Sequence, residues 1–475
     1  MKISLLSKLS NDNARYLLFI FFIAIVVRSI PELIAYPYPI GYDVINYYIP
    51  VIANFEGHWA TVSNQFPLYV SFLYMLTIAT NLDPFTVVRI SAITIFGFFT
   101  ISIYTISRRV IGLQKACSLF LALFVMFQTS VLRTSWDLHK DMISLSLMFF
   151  AFSLITKSHS ISKKTFLTVV VLCVISVLTD RMIGLLLTAT LIIYALIKRD
   201  KQHTVLAIII FLVALTAYLQ SANEIKANVD IFNGRFITNN VYSPTNLATL
   251  FLITNIFLIP TGIIGFLRIP EALLKIPIIL SLVASLSWVV YSFSSSLLPD
   301  RWTFTFSIIL SLFSGYGFIV LIERMNRFYA INKVITSLLI IVPFVIIGIL
   351  YSTMSNDLSY TLLAPFHEYI GQFAPMTMQY NSISIPESRS IVTAIDWINQ
   401  NTPTGSTIII DKNWRGWAEL GLEQRNFQFY DDNTNFLGLH GNYYLLEFSY
   451  KAAPNNMGEI QRIYKNQDFT LYNIA

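Results

Sequence analysis

Charge is what this sequence has least of. Of its 475 residues 12% are charged and 55% hydrophobic, where a soluble domain carries roughly 25% charged residues. That shortfall excludes an ordinary globular enzyme. Cysteine is almost absent: Cys117 and Cys173 both lie in apolar segments and read as buried small hydrophobes, not as a disulfide or a metal pair. Histidine is sparse too, and His58, His139, His367 and His440 have no ligand spacing, so a divalent metal would rest on carboxylates alone. No nucleotide fingerprint and no basic patch with interleaved aromatics occurs, which argues against a cytosolic nucleotide-sugar enzyme and against a nucleic-acid partner. No small-x-small cleavage site follows the first apolar run, so that run reads as a retained span, not a signal peptide.

The charges that are present are sorted by position. Tyr16 to Val27, Thr204 to Gln220 and Val334 to Asn356 hold none, and residues 1–356 carry a net +11 against −5 for 357–475. Such sorting marks a polytopic membrane protein. Eleven stretches can span, near 16–35, 85–107, 116–132, 142–156, 165–179, 182–197, 204–220, 246–267, 276–298, 302–322 and 334–354. Leu68 to Thr80 is shorter, covering about 20 Å as a helix against a ~30 Å hydrocarbon core. With that segment left out of the spans, the inner set holds 17 basic and 4 acidic residues and the outer set 8 and 10. The positive-inside rule therefore puts the N-terminus in the cytoplasm and Leu68–Thr80 on the outer interface. The helices at 165–179 and 182–197 are short and joined by almost nothing, as in a tilted or half-inserted hairpin.

The expected fold class is an α-helical polytopic membrane protein with a small C-terminal extracytoplasmic α/β domain. The division is a membrane domain over 1–356 with its first outer loop at 36–84, a linker over 357–385, and the outer domain over 386–475. In that last part Val392–Ile398 has a helical pattern, while Ser406–Ile410, Phe427–Tyr430, Tyr443–Phe448 and Phe469–Ile474 read as strands.

The outer ends of the spans gather the polar residues that the spans lack: Asp43, the run Arg133 to Asp141, the pair Asp180-Arg181, and Pro299-Asp300-Arg301-Trp302. Charges at span mouths are costly unless they pair or line a wet cavity, so a shared site is the natural reading. Each has a plainer alternative: Asp43 as a helix cap, Asp137 as a cap, Asp141 and His139 as structural groups, Arg181 and Arg301 as mouth anchors. Trp59, Trp136 and Trp302 read as interfacial aromatics. The chemistry that fits is attack by an acceptor on a sugar held by a lipid phosphate. A carboxylate near the acceptor hydroxyl acts as general base, and cations stabilise the departing phosphate.

At these residues the sequence resembles the GT-C glycosyltransferases, polytopic enzymes that use polyprenyl- or dolichyl-phosphate sugars. The resemblance rests on Asp43 in Tyr38-Pro39-Ile40-Gly41-Tyr42-Asp43, on Phe66-Pro67-Leu68-Tyr69 opening a juxtamembrane helix, on Arg89 opening the second span, and on Ser135-Trp136-Asp137-Leu138. Leu178-Thr179-Asp180-Arg181-Met182-Ile183-Gly184 is similar to a Leu-Thr-Lys-Gly stretch of lipid A aminoarabinose-transferase and protein mannosyltransferase relatives, with Asp-Arg in place of Lys. Trp397 to Ser406 resembles the approach to the Trp-Trp-Asp-Tyr-Gly signature of oligosaccharyltransferases, but Asp411 to Trp417 lacks that signature. The resemblance implies inverting transfer of a sugar from a polyprenyl-phosphate-linked donor to a glycan, lipid or protein acceptor outside the plasma membrane. Asp43 is then the general base and Asp137 its runner-up or an orienting partner. Arg301, Arg181, Lys140 and Arg89 are the candidate cations for the lipid phosphate. The resemblance fixes no cofactor, and a divalent metal stays open. The rival expectations are an oligosaccharyltransferase- or ligase-type transfer of a preassembled glycan, and a lipid-linked sugar flippase whose pathway would need polar residues deeper in the membrane than this sequence supplies.

Overall fold

The computed structural model describes residues 11–58, 68–155, 162–221, 244–290, 299–329, 333–353, 385–411, 414–430, 442–449 and 460–474. Trp59, Phe66, Pro67, His367, His440 and the expected linker apart from its last residue lie outside the described residues. The apolar runs fold as helices, the local structure that satisfies its own backbone polar groups in lipid. In chain order these are α1 (Asn11–Ala35), α2 (Val44–Ala53, beginning with a π-helical turn), α3 (Leu68–Thr80), α4 (Pro84–Arg109), α5 (Lys115–Met126), α6 (Thr129–Asp137), α7 (His139–Ile155) and α8 (Lys163–Thr179). There follow α9 (Arg181–Lys198), α10 (Lys201–Gln220), α11 (Pro244–Asn255), α12 (Ile259–Arg268), α13 (Ala272–Ser285), α14 (Ser287–Val290), α15 (Pro299–Tyr329) and α16 (Lys333–Thr353).

Within the described residues the stretches expected to span are helical apart from breaks at 127–128, 256–258 and 286, but the count differs. Among the described residues, 6 helices are long and apolar enough to cross a membrane, or up to 8 when α5 with α6 (bent by 64°) and α11 with α12 (bent by 68°) each count as one span. The difference lies in α7, α8 and α13, with 17, 17 and 14 residues. At 1.5 Å per residue they cover about 21–26 Å, so crossing would need tilted neighbours or a locally thinned bilayer. Leu68–Thr80 is a separate 13-residue helix, as its length implied. The α8–α9 hairpin turns on Asp180 alone, which ends one helix and caps the next by accepting from the Ile183 N–H at 2.7 Å. Trp136 and Trp302 depart from expectation. Both are buried inside the bundle, and Trp136 stacks on Tyr351 with ring centres 4.7 Å apart; a large aromatic gains more by filling a core than by lining its edge.

A buried charge network fixes the end of α1. Arg28 and Glu32, one helical turn apart, pair at 2.8 Å, and Arg28 Nε donates to the Ser135 carbonyl at 3.1 Å. Glu32 also pairs with Arg89 of α4 at 3.3 Å, and Arg89 Nη2 donates to the Pro37 carbonyl at 2.7 Å. One carboxylate is thus shared between two cations and ties α1, α4 and the loop after α1 together.

The C-terminal part is a mixed five-stranded sheet with a helix on its face. The elements are α17 (Ile385–Asn401), β1 (Thr407–Asp411), α18 (Arg415–Gly421), β2 (Asn426–Tyr430), β3 (Tyr443–Phe448), β4 (Ile460–Lys465) and β5 (Phe469–Ile474), in the strand order β2-β1-β3-β5-β4. β1 runs parallel to β2 and β3, while β5 runs antiparallel to β3 and β4. Ile391, Ile395 and Ile398 of α17, at helical spacing, pack on Ile408, Ile410 and Leu446 of the sheet.

Glu32→Ala would strand Arg28 without its counter-ion. Removing one partner of a buried pair costs about 3–5 kcal/mol, so the purified variant is expected to unfold at a clearly lower temperature in detergent, with Arg28→Ala giving a comparable loss.

Candidate active site

The loop after α1 delivers Asp43 to the N-terminal end of α15. Gly41 sets its path: its φ is +110°, and a Cβ there would lie 2.4 Å from the Trp136 carbonyl oxygen and 2.8 Å from the Asp137 Cβ. Only glycine fits a position that is both left-handed and this close to α6. Asp43 then occupies the cap position of α2, yet its carboxylate makes no capping bond. It faces Arg301 of α15 instead, Oδ2 to Nη2 3.6 Å, with 24% of its own side chain and 35% of Arg301 exposed. The two are therefore within reach of each other and partly open. Burial raises the Asp43 carboxyl above its usual range. Arg301 opposes that rise, Asp137 adds to it, and Lys140 and Arg133 oppose it further.

Beneath Asp43 lies a closed polar floor. Asp137 is buried and holds Arg133 in a two-pronged pair at 2.5 and 3.0 Å. Its backbone carbonyl accepts from the Tyr48 hydroxyl at 3.2 Å. Tyr48 stacks on His139, whose Nε2 lies 3.1 Å from the Trp136 carbonyl and whose Nδ1 lies 3.1 Å from the Tyr69 hydroxyl. A carbonyl only accepts, so Nε2 carries the hydrogen and Tyr69 donates to Nδ1. This chain leaves His139 as a strut between the loop helices and α7.

The other predicted residues divide by place. Lys140 sits over the Tyr47 ring at 4.6 Å and over the Tyr48 ring at 6.0 Å, beside the Asp43 segment. Asp141, one residue on, is hydrogen-bonded to Asp180 and lies in the fields of Arg301 and Asp43; two carboxyl groups bond to each other only by sharing a proton. Arg181 opens α9 next to Asp180, and its backbone carbonyl accepts from Tyr218 at 2.5 Å. Arg89 is drawn elsewhere: it stacks over Tyr36 and is engaged by Glu32 and the Pro37 carbonyl. Asp43, Arg301 and Lys140 thus meet, Asp137 lies under them in its own ion pair, and Arg89 serves the tether of the loop. Sequence reasoning gave too little weight to Asp141 and Asp180, whose partnership links two helices; four charged or ionisable residues within Asp137 to Asp141 were the available signal. Among the described residues, no group of three or more His, Cys, Asp or Glu side chains is arranged to hold a metal.

No protein-family model and no curated protein matches the sequence. Among solved structures, the chain is similar to the crystal structure of ArnT from Cupriavidus metallidurans in the apo state. The TM-score is 0.54 at 13% identity, over 98% of this chain and 99% of that one. The likeness is one of fold. The likeness runs through both the helical bundle and the C-terminal sheet.

Asp137→Ala leaves Arg133 buried and unpaired, at a cost of about 3–5 kcal/mol. Asp43→Asn alters a partly exposed pair worth about 0–1 kcal/mol. Unfolding in detergent is expected to separate the two, with a large drop in midpoint for Asp137→Ala and little change for Asp43→Asn.

Proposed function

We propose that this protein is an inverting glycosyltransferase that moves a sugar from a polyprenyl-phosphate-linked donor to an acceptor on the outer side of the plasma membrane. The observation that carries the reading is the pairing of Asp43 with Arg301 at 3.6 Å, both partly open, in a chain of ArnT-like fold. ArnT is an aminoarabinose transferase, and the donor class proposed here follows from that likeness together with the charges at the site.

In the reaction, the acceptor hydroxyl gives its proton to the Asp43 carboxylate as its oxygen bonds to the anomeric carbon. The bond from that carbon to the phosphate oxygen breaks, and the polyprenyl phosphate leaves with the electron pair. Arg301 meets the charge that builds on the phosphate, with Lys140 as a second cation and Arg181 at the neighbouring helix mouth. A fork of N–H donors suits phosphate oxygens. Asp137, with both oxygens engaged by Arg133, keeps the floor in place and orients the acceptor's surroundings; Arg89 acts through the loop. The membrane domain is assigned to 1–356 and the extracytoplasmic domain to 386–475, with the N-terminus inside, so that the site opens outward.

Purified protein given short polyprenyl-phosphate monosaccharides is expected to release polyprenyl phosphate, and Asp43→Asn to slow release by about 10²–10⁴-fold. A base works only when deprotonated. Because burial raises the Asp43 pKa, activity should rise with pH through a limb lying above the ordinary carboxylate range, and Asp43→Asn should abolish that limb. Undiminished release by Asp43→Asn, in protein that folds normally, would refute the assignment.

A further inference from the structure

The segment that carries Asp43 is also gripped by the C-terminal domain. Its short helix α18 lies on α2 immediately beyond Asp43. The Gly416 N–H donates to Asn46 Oδ1 at 2.8 Å. A Cβ at Gly416 would fall 1.8 Å from the Ile45 carbonyl oxygen and 2.9 Å from the Asn46 Cα, so backbone meets backbone with no room for a side chain. Two further contacts flank this one. Trp417 meets Tyr38 edge to face, ring centres 5.7 Å apart at 73°, and Glu419 pairs with His58 at 2.6 Å. Tyr38 precedes Asp43 and His58 follows it, so α18 touches the loop on both sides of the carboxylate and at the helix between. Asn46 stands three residues from Asp43, about one turn along α2. Its Nδ2 is buried with no partner among the described residues, so the amide is held by its one bond to Gly416 and by packing.

We propose that α18 positions the candidate base: Gly416, through Asn46 and the Ile45 backbone, seats α2 so that the Asp43 carboxylate stays within reach of Arg301. This rests on the reading of Asp43 as general base. Gly416 and Asn46 are positioning residues, since they act through Asp43 and touch no substrate. The arrangement gives the sheet domain a part in the chemistry without lending it a catalytic group. A displacement of about 1 Å at a reacting group is enough to cost two orders of magnitude in rate, and a Cβ at Gly416 demands a shift of that size.

The test uses the full-length protein in detergent with a short polyprenyl-phosphate monosaccharide donor. It compares Gly416→Ala, the milder Asn46→Ala, and a control, Lys465→Ala on edge strand β4. Three quantities are read: amide hydrogen exchange across residues 41–53, kcat and KM for the donor, and the acid limb of the pH–rate profile. Gly416→Ala is expected to speed exchange in that segment and to lower kcat by about 10- to 100-fold with KM little changed. It should also move the acid limb to higher pH, because an Asp43 drawn away from Arg301 loses the charge that favours its ionised form. Asn46→Ala should do the same to a smaller extent, and Lys465→Ala should do none of it. An unchanged acid limb and unchanged exchange in both Gly416→Ala and Asn46→Ala, whatever the loss of yield, would overturn the proposal. If that result comes while Asp43→Asn is inactive, only the positioning role fails; if Asp43→Asn is fully active, the base assignment itself fails and the positioning role with it.

Discussion

The pairing of Asp43 with Arg301 is the constraint on which the rest of this structure bears. Neither group holds the other firmly: at 3.6 Å and partly open to solvent, such a pair contributes about 0–1 kcal/mol. Its geometry must therefore be imposed by the surroundings. Three tethers do this. Arg89 holds the Pro37 carbonyl, Gly41 lies against Trp136 and Asp137, and Gly416 meets Ile45 and Asn46. Each touches the loop at a different point around Asp43, and each comes from a different part of the chain.

The buried charges make sense in the same frame. Arg28, Glu32, Arg133 and Asp137 are each removed from water, at a penalty of several kcal/mol per ion that good geometry at best repays. An apolar set of equal volume would serve stability as well or better. What the ionic set adds is direction, since a two-pronged Arg133–Asp137 pair and a Glu32 shared between two arginines admit few alternative packings. In the function proposed above, the half-buried Asp43 and Arg301 act on the substrate while the buried charges hold the frame.

Much of the fold was legible from periodicity and charge. Leu68–Thr80, Tyr443–Phe448 and Phe469–Ile474 fold within the limits their patterns set, because apolar length and strand alternation are local properties. The bends between α5 and α6 and between α11 and α12 were not legible, since packing determines where those spans break. Strand β4 was missed because it is a bulged edge strand with a mixed exposure pattern, and α18 because two glycines in seven residues look like a loop. Charge at span mouths singled out Asp43, Arg301 and Lys140, which the fold brings near one another. The Arg28–Glu32 pair looked like an interruption of a span; its further partners, Ser135 and Arg89, lie far along the chain, where no local pattern reaches.

The central claim is that Asp43 and Arg301 act as one unit on a lipid-phosphate sugar. A double-mutant cycle on polyprenyl phosphate release, with Asp43→Asn, Arg301→Gln and both together, tests it most directly. The account predicts strong non-additivity, with the double variant scarcely slower than the worse single one. Losses that simply multiply, or either single variant at full activity, would contradict it.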